Sequence, residues 1–137
     1  MPLPSGLPDH VADQEPLARF LTSSSHFNTS FVKPSAFLPN SNDGKTSVFR
    51  HDAEPRDVLE DIGRNEVAQD RSLYGAAIIT AAEVRAAKLE VSAAEPPARH
   101  ADIEGWPWMQ GDREFGKAES KEKALVLAQK AQLLKFL

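Results

Sequence analysis

The sequence predicts an α+β domain: a small mixed sheet of about four short strands, two or three short helices and a longer C-terminal amphipathic helix. Three observations carry this expectation. Short apolar runs such as "SLYGAAIIT" at 72–80 have the length and β-branched content of strands. Pro16 and Pro55 sit where a helix starts, because a first-turn residue has no intrahelical use for its N–H. Apolar residues in the last 18 positions recur at spacings of three and four.

Along the chain, residues 1–14 carry Pro2, Pro4, Gly6 and Pro8, which forbid a helix and favour an extended tail. Residues 15–137 then read as one domain, near the commonest domain size. "EPLARFLTSSS" reads as a two-turn helix with Leu17, Phe20 and Leu21 on one side, stopped by Ser23–Ser25. Residues 35–38 and 46–50 read as the arms of a hairpin around "PNSNDGK", whose Asn, Asp and Gly tolerate left-handed turns. "AEPRDVLEDIGRNEV" reads as a helix with a Val58, Leu59 and Ile62 stripe and Gly63 as a left-handed cap. After the strand at 72–80, Thr80 and Glu83 have capping-box spacing and open the short helix "AAEVRAAK". "LEVS" is a further strand with Leu89 and Val91 on one face. Strand, short helix and strand suggest a parallel or mixed pair, with an antiparallel arrangement also open. The terminal helix is built on Ala124, Leu127, Ala128, Ala131 and Leu134, widened by Val126, Leu133 and Leu137. A face that wide needs cover, from the sheet or from a second copy of the chain.

Composition narrows the function. The chain has no cysteine, which removes disulfides, thiolate catalysis and zinc-thiolate sites. "MPLPSGLPDHVADQEP" lacks the basic and apolar regions of a signal peptide. No window approaches the roughly 20 apolar residues of a membrane helix, so a cytoplasmic protein without membrane attachment is expected. Net charge is −4 and the 16 Lys and Arg are dispersed, which disfavours bulk nucleic-acid binding.

The candidate site residues cluster in "PPARHADIEGWPWMQG" at 96–111 and at two other histidines. In an extended chain His100 and Asp102 share a face, with Arg99 and Ile103 opposite. A carboxylate beside an imidazole fixes its tautomer and raises its basicity, as a general base requires. The same residues also fit a strand-start histidine bonded to backbone. "FRHD" puts Arg50 and His51 at a strand end, where a forked guanidinium clamps phosphate or carboxylate, or pairs with a nearby acid. His26 follows three serines, but no G-x-S-x-G accompanies it. His26, His51 and His100 lack the spacing of a helical zinc motif, so no metal site and no cofactor are expected. Gly44, Lys45 and Thr46 mimic only the end of a phosphate loop. Trp106 and Trp108 flank Pro107 and point the same way if extended, as a binding prong or as core caps.

Two functions fit these residues. The preferred one is a small adaptor or regulatory protein that binds another protein or a second copy of itself through the Trp-Pro-Trp loop, the C-terminal helix, or both. The alternative is a hydrolase or group transferase with His100 as general base, Asp102 as its orienter and Arg50 as anion clamp. The first is preferred because function rests on a site and no strong catalytic motif is present.

Overall fold

The computed structural model describes residues 3, 5–40, 43–51, 55–68, 71–107 and 113–136. The class is α+β, with six strands rather than about four. They are β1 (Pro16–Leu21), β2 (Thr46–Arg50), β3 (Gly75–Thr80), β4 (Glu90–Ala93), β5 (His100–Glu104) and β6 (Gln132–Lys135). They form one sheet in the order β4-β5-β2-β1-β3-β6. Every neighbouring pair is antiparallel, so the expected mixed sheet is corrected to an antiparallel one. β3 and β4 do not pair, because β1, β2 and β5 lie between them.

Both faces of the sheet are covered, and strand alternation sorts the residues. One face holds Leu17, Leu21, Val48, Ala77, Ile79, Val91, Ala101 and Ile103. They pack against α2 (Ala81–Ala86), α3 (Arg113–Lys130), Phe37 and Trp106. The opposite face holds Ala18, Phe20, Phe49 and Ala76, covered by Leu59 of α1 (Arg56–Ile62), by Leu73 and by Phe136. Phe20 meets Phe49 edge-on at 5.6 Å between ring centroids. That second cover stops short of β5 and β4. There the same face carries Ser47, Asp102 and Ser92, side by side in the register of β2, β5 and β4.

Several expected elements are corrected. The expected helix at 16–22 is the central strand β1. Its side chains are apolar on both faces, a pattern a helix with one buried stripe cannot satisfy. Residues 34–36 form a 3-10 turn instead of a hairpin arm, and β2 pairs with β1 and β5. The turn itself is as expected, with Gly44 at φ +70° and its N–H donating to the Asn40 carbonyl. Gly63 is not a left-handed cap: at φ −61° it continues α1 into a π turn over Gly63–Ala68. A Cβ there would lie 2.7 Å from the Phe20 ring, so the glycine permits close packing of helix on sheet. The terminal helix ends at Lys130, and β6 follows. Leu133 joins one core cluster and Leu134 the other, which is period-two alternation. The strand at 75–80 and the capping box are found: Glu83 N–H donates to Thr80 Oγ1, and Thr80 N–H to Glu83 Oε1.

Residues 5–14, expected as tail, lie against the body. Val11 is inside the core, and Ser5 donates to the Glu95 carboxylate through N–H and hydroxyl.

Candidate functional site

β5 places His100 and Asp102 on one face, next to each other, with Ala101 and Ile103 sealed on the other. The connection from β4 is held by backbone bonds: His100 N–H to the Pro97 carbonyl at 3.1 Å and Ala94 N–H to the His100 carbonyl at 2.9 Å. Arg99 sits at φ +72°, its N–H donating to Glu95 at 3.0 Å and its carbonyl accepting from Arg50 N–H at 2.8 Å.

The orientation of the imidazole decides what it can do. Its Nδ1 lies 2.9 Å from the Ala94 carbonyl oxygen, an acceptor, so Nδ1 carries the proton. Nε2 faces Asp102 Oδ1 at 3.7 Å, beyond hydrogen-bond length. A base oriented by a carboxylate needs the reverse: the carboxylate on the protonated nitrogen and the lone pair turned to substrate. Here the carboxylate stands beside the nitrogen that would do the work. Burial raises the Asp102 pKa, opposed by the nearby His100 and Lys45.

Arg50 is not beside this pair. Phe49 is the register partner of His100, so Arg50, one residue on, projects to the other face. It is 0% exposed. Its Nε and Nη2 donate to Glu15 at 2.5 and 3.0 Å, its Nη1 donates to the Pro8 carbonyl at 2.7 Å, and Nη2 also reaches the His10 carbonyl at 3.4 Å. The fork that was expected to clamp a ligand anchors the N-terminal segment.

The other expected residues are scattered. Trp106 is 2% exposed and belongs to the main core, so it is no exposed prong. Trp108 lies outside the described residues. His51 donates its N–H to the Pro16 carbonyl at 2.9 Å. His26 stands in a 3-10 turn, its pKa lowered by burial and by Arg19. Among the described residues, no three His, Asp or Glu side chains gather at a metal-binding spacing. Likewise no helix of the described residues is long and apolar enough to cross a membrane.

Two concave features hold chemistry that the sequence reading missed. The first is a cleft of about 350 Å³ between the sheet and the π-turn segment, lined by His100, Phe20, Phe49, Arg19, Glu66 and Arg71 among others. Arg19 interrupts the apolar run of β1, a signal that becomes visible only once the segment is read as a strand. Arg71 has no comparable signal. The second is a groove of about 510 Å³ between residues 30–34 and the C-terminal half of α3. Phe31, 55% exposed, and Leu125, 44% exposed, line it with Val32, Pro34, Ala128 and Ala131. No protein-family model, curated protein or solved structure matches the chain.

Proposed function

We propose that the chain is a small cytoplasmic adaptor or regulatory protein that works by macromolecular binding, with the Phe31–Leu125 groove as its docking face and a second copy of the chain as occupant. The observation that carries this reading is the exposure of Phe31 and Leu125 in one depression, which Ser30 and Gln129 also line. Large apolar side chains grouped in a depression mark interaction sites more often than isolated ones do. Leu125 belongs to the helix that the sequence singled out for docking.

A second copy is favoured by what lies beside the groove. Ala131 lines it and immediately precedes β6, and Lys135 of β6 donates to the Thr29 carbonyl at 2.9 Å, next to Ser30 of the groove. β6 is an end strand of the sheet, and its outer edge has no backbone partner among the described residues. An edge strand beside such a groove is self-complementary across a two-fold axis. Catalysis is disfavoured by the sheet itself, which separates Arg50 from His100 and Asp102.

Sedimentation equilibrium of the full chain tests the reading. A dimer is expected at tens of micromolar, on the scale of a modest interface, and Phe31→Ser with Leu125→Gln is expected to give a folded monomer. A wild-type chain that stays monomeric across that range contradicts it.

A further inference from the structure

We propose that the cleft between the sheet and the π-turn segment is a binding site for a small phosphate monoester, held by Arg19, Arg71 and His100. The site opens beside Phe49 and His100, apart from the docking groove, and does not rest on that reading; Arg19 reaches it from the face of Leu17 and Leu21 past the Ser47 carbonyl.

The electrostatics come from three side chains of different origin. Arg19 rises from β1 and is fixed by its own donors: Nε to the Ala36 carbonyl at 2.8 Å and Nη1 to the Ser47 carbonyl at 2.9 Å. Those bonds use Nε and Nη1, so among the described residues only Nη2 is left without a hydrogen bond, and Arg19 lines the cleft. Arg71 follows the π turn and donates through Nη2 to the Val67 carbonyl at 2.9 Å. Among the described residues neither guanidinium has a carboxylate partner within ion-pair reach. Carbonyl oxygens hold the two groups without neutralising them. Burial, and then the Arg71 charge, push the Arg19 pKa down to about 10, which still leaves it charged at neutral pH. Like charges placed this way repel, and a doubly charged oxyanion between them relieves the repulsion.

The third cation is conditional. His100 lines the same cleft, and a proton on its Nε2 is shared with Asp102 Oδ1, 3.7 Å away. Glu66, exposed on the π turn, is an opposing charge on the lining, and Asp102 is a second opposing charge, 3.7 Å from His100 Nε2. Phe20 and Phe49 line the cleft with the small part of their rings that is not buried, an apolar floor that favours an ester over the free ion. The volume is at the lower end for small-molecule sites, which suits a compact ligand.

The test is a titration of the full ¹⁵N-labelled chain with phenyl phosphate, inorganic phosphate and phenol, followed by amide and imidazole chemical shifts. Phenyl phosphate is expected to bind below about 1 mM, inorganic phosphate more weakly, and phenol not at all, with shifts centred on Ser47, His100 and Arg71. Arg71→Gln is the informative variant, because Arg71 is exposed and Arg19 is structural. It is expected to weaken phenyl phosphate by at least about tenfold, as loss of a charged hydrogen-bond donor implies. Arg64→Gln, on the same segment but paired with Glu60, is expected to leave binding unchanged. No saturable shift at 10 millimolar, roughly the weakest affinity worth the name, overturns the proposal. So does equal binding by Arg71→Gln, or a response mapped to another part of the surface.

Discussion

Arg50 carries a fully buried charge whose carboxylate partner, Glu15, lies 35 residues upstream. A guanidinium sealed in this way is stable only with every donor used. The Pro8 and His10 carbonyls accept two more of its bonds, so that all three nitrogens are engaged, and they fix the path of the N-terminal segment. Replacing Arg50 by Met leaves Glu15 and both carbonyls without their donor. We expect a loss of roughly 3 kcal/mol or more by chemical denaturation, with faster proteolysis within residues 5–14. Unchanged stability and unchanged cleavage would show the segment to be held by other contacts. Gly63 makes a second residue-scale prediction. A methyl there meets the Phe20 ring at 2.7 Å, closer than packed carbons allow. Gly63→Ala is therefore expected to destabilise by about 1–3 kcal/mol, although alanine is the better helix former. A stabilised variant would mean that the ring moves aside freely.

At the scale of elements, the sequence was legible where the pattern was local. The capping box of Thr80 and Glu83, the turn at Gly44 and the strands at 75–80 and 90–93 depend on neighbours a few residues apart, and all are present. β1 and β6 were not legible, because each is stabilised by distant strands. "PLARFL" spaces Leu17, Phe20 and Leu21 as a helix does, yet its position between β2 and β3 rewards a chain apolar on both faces. "QLLK" continues the helical spacing of α3 by coincidence of Ala131 and Leu134. For the candidate site, sequence placed His100 and Asp102 on one face, but strand pairing alone determines that Arg50 faces away from them. Ala18 separates the two readings of β1 by experiment. It lies off the apolar stripe of the supposed helix, but is buried under α1 in the strand. Ala18→Gln is expected to cost about 2–4 kcal/mol through overpacking and burial of an amide. A neutral effect on the denaturation midpoint would support a solvent-facing Ala18.

The whole molecule divides its work by face. One side of the sheet is sealed by α2, α3 and the N-terminal segment, and near that layer the groove opens at Phe31 and Leu125. The other side is half covered, and its open part is polar, with the arginine-lined cleft at the seam. The dispersed charge of the sequence fits this division, since neither feature is a broad basic surface for nucleic acid. Copies of the chain are proposed to meet at the groove. The absence of cysteine makes a direct measurement simple. A Gln129→Cys variant places a single spin label on the groove's rim, where Gln129 is exposed. Pulsed dipolar spectroscopy at a concentration favouring the dimer is predicted to give one intermolecular distance of about 20–25 Å, two helix diameters across a two-fold axis. A trace with no defined distance, only the background of separate molecules, would contradict the account.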